Sequence, residues 1–146
     1  MESVIFLVKV NFYDEVDDVL LKFAVIVAKY NNKLVFCKHK DRDTLEIPGG
    51  HRESGENIDV TAKRELFEET GAMEFNIKPV CVYSVTNGVC ENFGMLYFAD
   101  VKSFSGELKN EIEKIFFLDE LPQNWTYPEI QPILLKEVVR RFFSRK

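Results

Sequence analysis

Three glutamates set the problem this chain has to solve. Glu65, Glu68 and Glu69 lie three and four residues apart. If the segment is helical, at about 100° per residue the three side chains fall within an arc of roughly 100° and converge. Carboxylates held that close repel one another unless positive charge sits among them. A hard divalent cation with oxygen ligands supplies such charge. Solvated acids on an ordinary amphipathic helix are the competing reading. Glu69, however, projects close to the direction of Ile58 and Ala62, so at least one acid faces the packed side. Val60 and Phe67 project the other way, so both sides of the helix are expected to be covered.

The elements that must position these acids are legible on either side. Asn57 is a suitable N-cap, because its short side chain can accept from the open N–H groups of a first turn. Gly71 suits the residue just past the helix, where a left-handed backbone excludes most side chains. Residues 46–56 read as a strand end running into a glycine-containing loop, Glu46-Ile47-Pro48-Gly49-Gly50-His51-Arg52-Glu53-Ser54-Gly55-Glu56.

Together these positions form a pattern. Gly50, five residues, Glu56, seven residues, then Arg64-Glu65-Leu66-x-Glu68-Glu69-x-Gly71 resembles the signature of the Nudix hydrolase family. Ala72 departs from it, since a larger aliphatic residue is usual there. The resemblance implies cleavage of a nucleoside diphosphate linked to another moiety, X, with Mg²⁺ or Mn²⁺. It implies that Glu65, Glu68 and Glu69 hold metal, with a carbonyl of Gly49 or Gly50 as a further ligand and Glu56 as an outer or occasional one. Arg64 would orient Glu65 and the loop through a forked, charge-assisted contact; a simple surface ion pair is the alternative. The general base is a motif glutamate or an acid in a distant loop. Glu107, Glu111 and Glu113 are the loop candidates, and Glu111 is the favoured one.

Residues outside the motif must choose X. Lys38 shares an extended face with Lys40 and either holds a phosphate chain or pairs locally in a solvated loop. The stretch with Asn124, Trp125, Tyr127 and Glu129 carries the only tryptophan and resembles the pocket segment of MutT-like nucleoside triphosphate pyrophosphohydrolases. A ring there can stack on a base while Asn or Glu reads its polar edge. Alternatively, Trp125 and Tyr127 seal the core beside the last helix. His39 has no identifiable partner and reads as surface.

Totals narrow the classes. A chain of 146 residues suits one domain, and 46% hydrophobic content with 13 Phe allows a core rich in aromatic surface. The net charge of −5 argues against duplex nucleic acid, which needs a basic face, but not against a nucleotide carried with its metal. Cys37, Cys81 and Cys90 show no CxxC and no Cys/His metal spacing, so reduced thiols are expected, with Cys37 in the core. No leader pattern or membrane-length apolar run is evident, and a soluble cytoplasmic protein, monomer or homodimer, is expected.

Strands are expected over 4–12, 20–29, 33–38, 75–86, 90–101 and 112–118. The second is nearly continuous in its apolar character over residues 23–28, as in a strand covered on both faces. Asn31-Asn32 and Asn87-Gly88 are hairpin turns, and Pro79 implies an edge or bulge. Asp14, Asp17 and Asp18 read as a solvated acidic loop. Pro128 can open a last helix whose apolar stripe is Ile130, Ile133, Leu134, Val138 and Phe142. Helices on opposite sides of a mixed sheet follow, an α/β fold resembling the Nudix α/β/α sandwich. Three functions compete: a triphosphate pyrophosphohydrolase, a hydrolase of a nucleotide sugar or dinucleotide polyphosphate, and a silent nucleotide-binding module. A pure binder has no need of all three glutamates.

Overall fold

The computed structural model describes residues 7–108 and 111–142. Its strands are β1 (Lys9–Tyr13), β2 (Leu21–Tyr30), β3 (Lys33–His39), β4 (Gly49–His51), β5 (Ala72–Thr86), β6 (Glu91–Phe104) and β7 (Ile112–Leu118). Its helices are α1 (Ile58–Thr70) and α2 (Gln131–Phe142). Seven strands form one sheet in the order β1-β5-β6-β2-β3-β7, with β4 paired to β2 off that path. Only β2 and β6 run parallel among these pairs, so the sheet is mixed.

Strand β2 explains the layering. Ala24, Ile26 and Ala28 point to one face, where Ile58, Ala62 and Leu66 of α1 cover them. Val25 and Val27 point to the other, where Leu134, Leu135 and Val138 of α2 pack. Alternation along an extended chain thus feeds two cores from one uninterrupted apolar run. The α/β/α sandwich expected from the sequence is present.

The turns follow their chemistry. Asn31 and Asn32 take positive φ, 51° and 67°, between β2 and β3. Asn87 Oδ1 accepts from the N–H groups of Val89 and Cys90 at 2.9 and 3.0 Å, closing the β5–β6 hairpin. The β5–β6 register shifts between Pro79 and Cys81, the irregularity Pro79 demands because it cannot donate to a ladder.

Several expectations need correction. The first strand begins at Lys9, and residues 4–6 of the expected strand lie outside the described residues. Strand β5 starts three residues early, at Ala72, because its long antiparallel pairing with β6 carries it to the helix end. Pro128 precedes α2; it sits in a turn in which Tyr127 O accepts from Ile130 N and Gln131 N. Leu135 is buried in α2, whereas Ile133 and Phe142 are exposed, so the buried stripe is rotated from the expected one. On α1, Val60 is 51% exposed and Phe67 is partly exposed, so the described residues cover the outer side of that helix only in part. The acidic segment before β2 is not merely solvated: Asp18 accepts from Arg52 Nη2 at 2.8 Å.

Candidate functional site

Helix α1 is fixed at both ends and along its length. Asn57 Oδ1 accepts from Asp59 N at 2.8 Å, and Gly71, at φ 79°, donates its N–H to Phe67 O at 2.7 Å. These are the two caps the sequence announces. The buried Tyr97 of β6 donates its hydroxyl to Asp59, tying the first turn to the sheet. Opposite α1, β4 lies against β2, with Gly50 facing Ala24 in the register. A Cβ at Gly50 would run into the Glu65 carboxylate and push it aside, so glycine here leaves that carboxylate its place beside the loop.

The three glutamates differ by depth. The side chains of Glu65 and Glu69 are each 13% exposed, and that of Glu68 is 41% exposed. Arg64 ties the group together. Its Nε and Nη2 donate to the two oxygens of Glu56 at 2.7 and 3.0 Å. Its Nη1 donates to Glu65 at 2.9 Å and Glu68 at 3.2 Å, and Nη2 also reaches His51 O at 3.0 Å. The Glu56 carboxylate accepts further from Glu53 N and Thr61 Oγ1. Arg64 and these donors hold the Glu56 carboxyl down to about 2. In turn, the bond to Glu56 raises Arg64 above the ordinary arginine range.

Burial acts in the opposite sense on the deeper acids. It pushes Glu65 upward, against the pull of Arg64. It pushes Glu69 up to about 8, against the bond from Gly49 N at 3.0 Å; Glu65, Glu46 and Glu111 add repulsion. A cluster of carboxylates raised by desolvation and mutual repulsion is what a divalent cation would relieve.

Glu111 is brought near this cluster by the pairing of β3 with β7. Lys40 N donates to Glu111 O at 2.9 Å, and the Glu111 carboxylate acts on both Glu65 and Glu69. Of the other two acids expected in this loop, Glu113 instead lies in β7 and pairs with Lys38 at 2.6 Å, and Glu107 lies beside the far end of α1, its carbonyl near Gly71. Lys38 therefore lies in β3, not in a solvated loop, and its partner stands across the ladder on β7.

The segment carrying the tryptophan is stitched to residues 43–46. Leu45 N donates to Asn124 O, Thr126 N to Leu45 O, and Asn124 Nδ2 to Asp43 O, each at 2.8 Å. Trp125 is half-buried and meets Phe36 edge-on, with centroids 5.4 Å apart. Its ring serves the core on the α2 side. Tyr127 and Glu129 are exposed, and the Arg42 guanidinium lies 5.9 Å over the Tyr127 ring.

Sequence reasoning missed a group behind Glu69. His39 is not surface: its Nε2 is 3.1 Å from Glu46 Oε2 and 3.5 Å from Glu69 Oε2. Cys37, in the core as expected, sits two residues earlier with its Sγ 3.8 Å from Glu69 Oε1. Without any CxxC or spaced Cys/His set in the sequence, one thiol and one imidazole on a single strand meet a carboxylate from the helix. The Cys37-x-His39 alternation was the available signal. Glu46, also buried, was not foreseen; Arg42 Nη1 pairs with it at 2.8 Å. Arg52 was missed as well, and its bonds to Glu56 O, Asp18 O and Leu21 O brace the glycine loop.

Fold and site together define an α/β/α sandwich whose glutamate-rich helix faces a glycine loop. The NUDIX domain family matches residues 20–137, and the chain belongs to that family. It is a Nudix hydrolase, a pyrophosphohydrolase. Over 133 residues it is 27% identical to a Bacillus subtilis protein described as "Putative 8-oxo-dGTP diphosphatase YtkD", covering 90% of this chain and 84% of that one. It is 29% identical to the ADP-ribose pyrophosphatase of Bacillus subtilis over 127 residues, covering 84% of this chain and 63% of that one. Its fold matches the crystal structure of a mutant of the Bacillus subtilis pyrophosphohydrolase BsRppH with a TM-score of 0.77 at 24% identity, covering 94% and 93% of the two chains. Nudix hydrolases use a divalent metal and act on nucleotide derivatives. Among the described residues, no helix is long and apolar enough to cross a membrane.

Proposed function

We propose that this chain hydrolyses a nucleoside triphosphate, including oxidised purine forms, to a nucleoside monophosphate and pyrophosphate, with Mg²⁺ or Mn²⁺. One observation carries the reading: Arg64 gathers Glu56, Glu65 and Glu68 beside Gly50, where a side chain would displace the Glu65 carboxylate. The donor set fits such an ion, because it is all hard oxygen. Glu65, Glu68 and Glu69 would hold it with a carbonyl of Gly49 or Gly50. When bound, the ion neutralises the polyphosphate, polarises a phosphoryl oxygen and acidifies a coordinated water.

The chain's own residues do the rest. Arg64 positions Glu65 and Glu68, and Glu56 braces Arg64 from behind. An acid must take the proton of the attacking water as the phosphorus–oxygen bond forms and the anhydride bond breaks. Glu111 fills that role from the loop before β7, and Glu65 is the competing base within the helix. Lys38 stands toward the phosphate chain, its charge shared with Glu113. Asn124, Trp125, Tyr127 and Glu129 border the base, with Trp125 also sealing the core.

The relation to the 8-oxo-dGTP diphosphatase supports a triphosphate substrate. A nucleotide sugar is the second reading, supported by the relation to the ADP-ribose pyrophosphatase. A panel of triphosphates, oxidised triphosphates, nucleotide sugars and dinucleotide polyphosphates with Mg²⁺ or Mn²⁺ tests both. Pyrophosphate release from a triphosphate is the expected result. Turnover confined to nucleotide sugars would replace the first reading with the second, and no turnover on any member would remove both.

A further inference from the structure

Cys37 and His39 share one face of β3, and Glu69 meets them from α1. Their Sγ, imidazole nitrogen and carboxylate oxygen all lie within 4.8 Å of one another. Such a mixed donor set has a different taste from the all-oxygen cluster in front of it. Mg²⁺ wants only hard oxygen, whereas thiolate with imidazole selects zinc-class ions.

A second observation points to a ligand. His39 Nε2 is buried and has no hydrogen-bond partner among the described residues, although two carboxylates stand at 3.1 and 3.5 Å. A buried polar nitrogen in that state is costly, and a cation shared with the carboxylates would satisfy it. The geometry is close to what such an ion needs. Tetrahedral zinc with bonds of about 2.0–2.3 Å sets its donors roughly 3.5 Å apart. Glu69 already stands 3.8 Å from the thiol through Oε1 and 3.5 Å from the imidazole through Oε2. Charge also balances. A thiolate and Glu69 neutralise a divalent ion, while Glu46 is already paired with Arg42.

We propose that Cys37, His39 and Glu69 form a second, zinc-class metal site, and that filling it withdraws Glu69 from the catalytic cluster and stops hydrolysis. As the sulfur–metal bond forms, the Cys37 thiol gives its proton to solvent, and no electron is transferred. Both Glu69 oxygens face Cys37 and His39, and an ion drawing on them there leaves neither for an ion in front, so filling one site empties the other. The inhibitory half of this inference rests on the hydrolase reading above; the metal site itself does not.

The whole chain, stripped of metal, is titrated with Co²⁺ alone. The expected result is a near-ultraviolet sulfur-to-cobalt charge-transfer band saturating at a single equivalent, and Zn²⁺ abolishes it. The band survives Cys90→Ser, which removes the exposed thiol. It disappears in Cys37→Ser, with affinity down about a hundredfold or more. Serine keeps a donor toward Glu69, so Mg²⁺-supported turnover of this variant stays close to wild type while Zn²⁺ inhibition is lost. Circular dichroism checks its fold, and His39→Gln supplies an independent loss of affinity if the serine variant does not fold. No charge-transfer band, or a band that persists in folded Cys37→Ser, overturns the site. A Cys37-dependent band without Zn²⁺ inhibition overturns the inhibitory half. A Cys37-dependent band in a protein that turns over no substrate leaves the site standing and removes the hydrolase reading instead.

Discussion

Arg64 grips Glu56 from eight residues away, its Nε and Nη2 donating to the two carboxylate oxygens at 2.7 and 3.0 Å. That fork leaves Nη1 for Glu65 and Glu68, so one guanidinium fixes the loop and two acids of the helix at once. Lysine cannot reproduce the geometry, because an ammonium is a point charge without a planar fork. Arg64→Lys and Arg64→Ala are both expected to lower kcat by about a hundredfold, the cost of misplacing reactive groups by roughly an ångström. Steady-state kinetics with Mg²⁺ checks this. Wild-type kcat in the lysine variant would reduce Arg64 to a surface ion pair.

Glu68 is the most exposed of the three helix acids, and its side chain supports little packing. Glu68→Gln should therefore keep the melting temperature within a few degrees, while Mg²⁺-dependent turnover falls by about a hundredfold or more. Thermal melts beside kinetics separate the two effects. A variant that turns over normally would place the metal elsewhere.

Glu69 makes stability depend on pH in an unusual direction. Burial first, then its acidic neighbours, push the folded carboxyl up to about 8 from an ordinary value of 4.5. The folded protein then holds a proton that the unfolded chain has released. The stability gained is complete below pH 4.5 and is lost as pH rises through about 8. Metal-free protein should lose on the order of a few kcal/mol across that window. Glu69→Gln should lose much less, and Mg²⁺ should restore the wild type at the alkaline end. Its affinity for Mg²⁺ should likewise rise with pH up to about 8, because the ion must displace that proton. Melts in chelator across pH provide the check; a flat profile for the wild type contradicts the buried carboxyl.

Trp125 has a structural duty that bears on any binding role. It packs edge-on against Phe36 at 5.4 Å and covers the core beneath α2. Trp125→Ala should cost about 2–3 kcal/mol, somewhat below the range for fully buried aromatics. If the ring also stacks on the base, KM rises more than kcat falls, and Trp125→Phe recovers part of both losses. An unchanged KM in the alanine variant would confine Trp125 to the core.

Much of this site is local, and local features are readable from a single chain. The caps Asn57 and Gly71, the convergence of Glu65, Glu68 and Glu69, and the two turns at Asn31-Asn32 and Asn87-Gly88 each depend on residues a few positions apart. Backbone geometry alone relates them. The uninterrupted apolar run of β2 likewise announced burial on both faces.

What the tertiary structure decided is which distant residues share a face and which neighbours they meet. Alternation places Cys37 and His39 on one side of β3, yet nothing in their spacing says that Glu69 of α1 waits there. Glu111 reaches the cluster only because β3 pairs with β7, and Trp125 finds Phe36 only because residues 124–126 dock on 43–46. The exposed Val60 and the rotated stripe of α2 have the same origin. A helix declares an apolar side through its period, but the sheet it lands on selects which residues of that side are covered. Burial, and with it the raised carboxyl of Glu69, is a property of contacts made across the chain, so it became visible only in the folded molecule.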